Sequence, residues 1–357
     1  MEKALALLAI SFTISFVVIK LLKPLAYWAE LVDKPGGRKN HKGVIPLIGG
    51  LAIYAAVSIS TFFFIEQPLF IRLFLLAGGL IVFMGMVDDR YELSARFRLV
   101  GQLLVCGIFV YGLDIKITNF GNIFGVGDLT VGWLGYPLTV LSLMGVMNAF
   151  NMMDGMDGLV GSICMVVFAG LAYLFAQSAD VVPQFLCLTF VGAIAAFLIF
   201  NIWGEPGGNK LKKIFMGDAG SMFLGLSIGV LVIYGSQEPV AAFEPVTALW
   251  LVLLPMTDMF TIMYRRIKRG RSPMDPDRTH IHHILLRAGF GKNLTLGVIA
   301  FSQLAFIFLG AGVVMSAPES VSFVLVVMVV AGYQLLMRRS WKFIRWGRRF
   351  FLSSCKS

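Results

Sequence analysis

Eleven apolar stretches, each close to the length that crosses a bilayer, constrain this chain more than any other feature. They run over about 3–22, 45–65, 68–87, 98–113, 132–149, 159–177, 183–202, 219–235, 244–263, 293–315 and 321–338. A helix needs roughly 20 apolar residues to span hydrocarbon. Inside hydrocarbon a helix satisfies its own backbone, so repeated stretches of this length imply helices rather than open sheets. The chain has 357 residues and is 58% hydrophobic, above the roughly half that is usual in soluble domains. The stretches leave no room for a soluble domain. The expectation is an all-α polytopic membrane protein with about eleven transmembrane helices, forming a single integral membrane domain over 1–357. The first stretch is too long for a secretory apolar region and lacks a small-residue cleavage pattern, so it reads as an anchor.

Charge supplies the orientation. The net charge is +10, a value that by itself could suggest nucleic acid. If the N-terminus lies outside, 27 of the 30 Lys and Arg fall on the inner connections or the C-terminal tail, and Lys3, Arg72 and Lys116 remain outside. The positive-inside rule expects that bias. The basic cytoplasmic tail over 338–357, with "RRSWKFIRWGRRF" (Arg338–Phe350), is expected to lie on anionic membrane lipid, not on nucleic acid. Cys106, Cys164 and Cys187 sit singly inside apolar stretches and Cys355 in the tail, which suits packing rather than a disulfide framework.

The inner connections also carry the chemistry. "LVDKPGGRKNHKGVIPLIGG" (Leu31–Gly50) mixes Asp33 with Lys34, Arg38, Lys39 and Lys42, a composition suited to an anionic ligand. In "GMVDDRYELSARFR" (Gly85–Arg98), Asp88 and Asp89 end the third stretch. Adjacent carboxylates repel, which calls for a raised pKa or a cation. One could act as general base and the other could serve a metal. In "NAFNMMDGMDGL" (Asn148–Leu159), Asn148 and Asn151 offer amide oxygens to a hard cation. Asp154 and Asp157 would share one face if a helix begins near them. In "KKIFMGDAGS" (Lys212–Ser221), Asp218 stands where the eighth stretch starts, a natural N-cap position. A helix start is also an anion site, so Asp218 could hold Mg²⁺ while backbone amides face phosphate. "YRRIKRGRSPMDPDRTHIHHILLRAGF" (Tyr264–Phe290) concentrates Arg with His280, His282 and His283. With no cysteine or fourth ligand nearby, this loop suits a diphosphate clamp better than structural zinc. Pro255 should kink the ninth stretch.

Oxygen ligands suit Mg²⁺, with Mn²⁺ as the alternative. Basic loops suit a diphosphate, and the membrane edge suits a lipid acceptor. The inferred class is metal-dependent phosphoryl-type transfer to a lipid. A transporter is the rival from another class, but it would place its ionisable residues near the bilayer midplane. Here the aspartates gather at the inner ends of stretches, and Asp258 alone lies deeper. A CDP-alcohol phosphotransferase would need Ala-Arg two residues after Asp-Gly, which Asp157-Gly158 lacks.

Asp88-Asp89, "NAFNMMDGMDG", "FMGDAG" and the His-rich loop, in this order, resemble the polyprenyl-phosphate N-acetylhexosamine-1-phosphate transferases over nearly the whole chain. "HIHHILL" lacks the Glu of the peptidoglycan branch. The loops at Leu31–Gly50 and Ser272–Phe290 are most similar to members that join UDP-GlcNAc to undecaprenyl phosphate and prime O antigen or enterobacterial common antigen. The resemblance implies a multi-pass inner-membrane enzyme with a periplasmic N-terminus, a cytoplasmic C-terminus and a cytoplasmic active site. It implies that Asp88 deprotonates the lipid phosphate, with Asp89 supporting it or approaching the metal. Asp218 with Asn151 would bind Mg²⁺. Asp157 would contact uracil, Phe215 would stack on it, and Asp154 would orient that loop. His280, His282, His283 and Arg278 would hold the sugar and pyrophosphate, and Arg98 would touch phosphate. Asp33, Lys34 and Asn148 complete the expected substrate-binding set. Partners would be UDP-GlcNAc, undecaprenyl phosphate, membrane lipid and, as a candidate, a second copy of the chain.

Overall fold

A computed structural model describes residues 2–35, 43–66, 68–178, 180–206, 211–272, 279–313 and 317–353, with the backbone alone at 313, 346 and 350–353. The chain is helical almost throughout. Eight described helices are long and apolar enough to cross a membrane, and a ninth counts if one bent pair is a single span. Two more apolar helices, at Gly49–Phe64 and Leu159–Phe175, are shorter. Each of the eleven expected stretches coincides with one of these helices or with the bent pair. Large apolar side chains such as Leu21, Phe63, Phe83, Leu104 and Phe301 lie exposed on helices, a surface that suits lipid rather than water.

Two compact units are present. The first comprises 1–118 and 131–243. It holds α1 (Glu2–Trp28), α2 (Gly49–Phe64), α3 (Leu69–Tyr91), α4 (Ala95–Gly112), α5 (Gly135–Met153), α6 (Leu159–Phe175), α7 (Val181–Ile202) and α8 (Gly217–Ser236). Helix α8 is its axis, packed by α2, α3, α5 and α6. Nearly every α8 residue from Ala219 to Ser236 is buried. Apolarity gives helices little reason to associate in lipid, so close packing must do so, and small residues allow it. A methyl group on Gly50 would lie 2.2 Å from the Gly220 backbone, and one on Gly85 would lie 2.2 Å from the Ala219 Cα. Both contacts press neighbouring helices onto the first turn of α8.

A short antiparallel hairpin joins β1 (Val32–Asp33) to β2 (Ile45–Pro46). It continues into the extended segment ahead of α8 through an isolated bridge between Leu47 and Phe215. Phe215 N–H donates to the Pro46 carbonyl at 2.9 Å, and Gly49 N–H donates to the Phe215 carbonyl at 2.9 Å. The loop that carries Asp33 is therefore fixed by backbone to the segment that leads into Asp218.

The second unit comprises 119–130 and 244–357. It holds α9 (Pro245–Leu251), α10 (Leu253–Lys268), α11 (Ile281–Arg287), α12 (Lys292–Phe308), α13 (Glu319–Arg338) and α14 (Ser340–Ser353). Helices α9 and α10 form the bent pair, with an angle of 72° between them. The expected kink is present, and it falls just ahead of Pro255, which sits in the first turn of α10. Proline has no N–H for the carbonyl four residues earlier, which is that of Leu251. The buried Gln303 of α12 supplies the missing donor, giving its amide to the Leu251 carbonyl at 3.0 Å and the Trp250 carbonyl at 3.3 Å.

Candidate functional site

The first unit assembles its polar groups around the start of α8. Asp218 was expected to cap that helix, but it lies within the first turn, with Met216 at the N-cap position and no side-chain cap there. The cap comes from another helix. Asp89 Oδ1 accepts from Asp218 N–H at 2.8 Å, and Asp89 Oδ2 accepts from Ala219 N–H at 3.4 Å. These are among the orphan donors of a helix start, which side-chain oxygens satisfy well. With its backbone N–H held by Asp89, Asp218 is free to turn its carboxylate elsewhere.

That carboxylate meets three groups. Asn151 Nδ2 donates to Asp218 Oδ1 at 2.9 Å and to Ser221 Oγ at 2.9 Å. Arg98 lies 3.6 Å from Asp218 Oδ2 and 3.2 Å from Asp88 Oδ2, so it bridges the two acids. The Asp88 and Asp218 carboxyls are therefore close neighbours. Asp88 is almost fully buried, and its Oδ1 accepts from Leu93 N–H at 2.8 Å. Asp88, Asp89, Arg98, Asn151 and Asp218 thus converge, as their placement in three separate inner connections suggested. Asn148, one turn before Asn151, takes a different course. It donates to Gln102 Oε1 at 2.9 Å and to the Met144 carbonyl at 2.7 Å, so its amide hydrogens are committed to α4 and to its own helix.

Asp154 and Asp157 do not share a helix face. Asp154 is the C-cap of α5, and α6 begins only at Leu159, after Gly158 in a left-handed conformation. The glycines that looked like close-approach points end one helix and start the next, so the aspartates occupy the turn between. Asp154 is open to solvent, and Asp218 and Asp157 act on it as neighbouring like charges. Asp157 pairs with Lys213 at 2.8 Å, and the same ammonium stands 5.9 Å from the Phe215 ring centre. Asp157, Lys213 and Phe215 therefore form one group. Asp33 is half-buried in β1 and Lys34 is exposed beside it.

Two residues passed over in the sequence support this arrangement. Lys213 was one lysine among several in a basic connection, and nothing local set it apart. Asn201 is buried at the end of α7. It accepts from Gly158 N–H at 2.6 Å and donates to the Ile214 carbonyl at 2.8 Å, tying the Asp154–Asp157 turn to the Phe215 segment. An amide inside an apolar run was the available signal.

In the second unit, His280 is the N-cap residue of α11, and both it and His282 are buried. The His280 and His282 rings are 5.7 Å apart and nearly parallel, and His283 lies 4.2 Å from His282. Arg278 lies outside the described residues. Neither ring nitrogen of His282 has a hydrogen-bond partner among the described residues. Burial first, then the neighbouring His283 and His280, pushes the His282 pKa down from 6.5 to about 3. The folded protein therefore holds His282 neutral. Its contribution is intact above pH 6.5 and is lost progressively as pH falls toward 3, because the unfolded chain takes up a proton that the fold refuses. At pH 5 the loss is about 2 kcal/mol, from about 1.4 kcal/mol per unit. Thermal unfolding in detergent should fall more steeply between pH 7 and pH 5 for wild type than for His282→Leu. Parallel curves would refute the assignment.

The comparisons with known proteins follow the same lines. Residues 71–236 match the glycosyl transferase family 4 profile, a span that includes the whole Asp88–Asp218 cluster. An undecaprenyl-phosphate α-N-acetylglucosaminyl 1-phosphate transferase of Salmonella typhi is 35% identical over 353 residues, covering 97% of this chain and 94% of that protein. The proteins of the same name from Escherichia coli strain K12 and Pasteurella multocida are each 34% identical, over 95% and 96% of this chain and 92% and 96% of their own lengths. With that identity over nearly its whole length, the chain belongs to glycosyl transferase family 4.

Proposed function

We propose that this protein transfers GlcNAc-1-phosphate from UDP-GlcNAc to undecaprenyl phosphate, leaving undecaprenyl-pyrophosphoryl-GlcNAc in the membrane and releasing UMP. The observation that carries the reading is the meeting of Asp88, Arg98 and Asp218 at the first turn of α8, in a chain whose relatives bear the name of that reaction. The charge bias and the eleven apolar stretches favour an inner-membrane enzyme with a periplasmic N-terminus and its active site on the cytoplasmic face. The product would prime lipid-linked glycans of the O antigen or enterobacterial common antigen type.

The donor set fits Mg²⁺. That ion typically takes one or two carboxylates together with substrate phosphates. Asp218 would hold it, with Asn151 beside it and Asp88 within reach. Among the described residues no three His, Cys, Asp or Glu are disposed to hold an ion by themselves, so substrate phosphates would have to complete the set. When bound, the ion would offset negative charge between the two phosphate-bearing substrates.

In the reaction, an oxygen of the lipid phosphate attacks the β-phosphorus of the donor. The bond from that phosphorus to the oxygen bridging the α- and β-phosphates breaks, and UMP leaves with the electron pair. The chain's residues supply position and electrostatics, as is usual in phosphoryl transfer. Arg98 neutralises charge between Asp88 and the attacking phosphate. Asp88 orients that phosphate and accepts any proton it still carries. Asp89 holds the α8 start rigid. Asp157 and Phe215 receive the uracil, with Lys213 between them, and Asp154 steadies their turn. His280, His282 and His283 serve the sugar and diphosphate.

The test uses purified protein in detergent with undecaprenyl phosphate, Mg²⁺ and radiolabelled UDP-GlcNAc, with and without EDTA. UMP release and label entering the organic phase in a metal-dependent way are expected. UDP-GalNAc run in parallel reads the hexosamine preference. Folded protein that transfers from no UDP-sugar would sink the proposal.

A further inference from the structure

Asp258 is the deepest carboxylate in the sequence, and the transfer chemistry assigns it no task. It is fully buried on α10. A carboxylate at that depth in an apolar helix is expensive and needs partners. It has three. His280 Nδ1 lies 2.6 Å from Asp258 Oδ2, Ile281 N–H donates to Oδ1 at 3.2 Å, and the Tyr333 hydroxyl of α13 donates to Oδ1. Ile281 N–H and the Tyr333 hydroxyl both donate to Oδ1, and the contact at Oδ2 fits an imidazole that carries its hydrogen on Nδ1. The other ring nitrogen, Nε2, has no hydrogen bond among the described residues.

A need for burial alone does not account for this arrangement. A buried ionic pair adds little stability over apolar residues of the same size. Capping α11 would require only one acceptor, and here a whole carboxylate is shared between a histidine, a tyrosine and a backbone amide. The same chemistry serves wherever a carboxylate fixes the tautomer and orientation of a working imidazole.

We propose that Asp258, supported by Tyr333, is a positioning residue that fixes the tautomer and orientation of His280 and leaves Nε2 to act on the diphosphate of the sugar-nucleotide donor. The assignment of the donor rests on the transferase reading above; the carboxylate–imidazole pairing does not.

The experiment separates the two. The chain has four histidines, His41, His280, His282 and His283, so ¹⁵N-histidine spectra of the protein in detergent can be assigned by substitution. Wild type should show a protonated Nδ1 at His280. In Asp258→Asn the amide hydrogens face Nδ1, and the proton should move to Nε2. With UDP-GlcNAc and undecaprenyl phosphate, the same variant should lose kcat by on the order of 10²–10³-fold with KM changed less than about 3-fold, by analogy with other carboxylate–histidine pairs. Asp258→Glu should recover part of the rate. The double variant with His280→Ala should be no slower than His280→Ala alone, because one residue acts through the other. Should Asp258→Asn fail to fold, Tyr333→Phe keeps the pair and loses one donor, and it should slow kcat roughly 3- to 10-fold with KM unchanged. An unchanged His280 tautomer in Asp258→Asn, or full activity in Asp258→Asn or Tyr333→Phe, overturns the proposal. So does an additive double variant. If wild type turns over no UDP-sugar, the transferase reading fails and with it the role of Nε2, while the spectra still decide the pairing.

Discussion

Asp218→Asn is expected to lower kcat by on the order of 10²–10³-fold, the scale seen when one preorganised charge-stabilising group is removed from an active site. The variant should remain folded in the membrane. The side chain keeps its size, and the backbone N–H that Asp89 accepts from is untouched. What changes is the charge facing Arg98 and Asp88. Titrating Mg²⁺ in the transfer assay, with membrane content and thermal unfolding measured alongside, separates loss of function from loss of fold. Turnover at the wild-type rate under ordinary metal concentration would remove Asp218 from the metal site. Partial recovery at high Mg²⁺ would support it.

Gly85→Ala is expected to damage the first unit severely. The added methyl would sit 2.2 Å from the Ala219 Cα, a backbone atom that cannot rotate away. Either α3 or the start of α8 must move. Overpacking of this kind costs about 1–3 kcal/mol, sometimes more. The functional loss should be larger than that figure suggests, because Asp88 and Asp89 follow Gly85 by one helical turn. A shift of α3 pulls Asp89 from the amides of Asp218 and Ala219 and separates Asp88 from Arg98. Activity should fall well over 10-fold, since small misplacements of reacting groups are costly. Gly332→Ala is the control: no atom lies within 4 Å of its added methyl, on the exposed helix α13. Equal behaviour of the two variants in thermal unfolding and transfer would show that the close contact between α3 and α8 does not matter.

Spans could be read because the bilayer imposes one length on every helix that crosses it, and each expected stretch found its helix or bent pair. Asp88, Asp89 and Asp218 stood out because carboxylates next to hydrocarbon are expensive and therefore need a reason. The bend ahead of Pro255 was legible for the same kind of local cause, a missing backbone donor. All of these are properties of a residue and its immediate neighbours along the chain.

What the sequence could not show was who partners whom. Asp89 capping α8 from another helix, Asn151 giving its amide to Asp218 while Asn148 turns to Gln102, Lys213 joining Asp157 to Phe215, and Asp258 holding His280 are all contacts between distant segments. Local spacing would have put Asp154 and Asp157 on one face had a helix begun near them, but α6 begins only at Leu159 and leaves both in the turn. By itself, then, the sequence determined the all-helical, multi-span architecture and the kinds of polar group present, because those follow from hydropathy and residue chemistry position by position. The tertiary structure alone decided which carboxylate caps, which faces a neighbouring acid and which holds an imidazole, because a buried polar group takes its role from the partner that packing brings within hydrogen-bond distance.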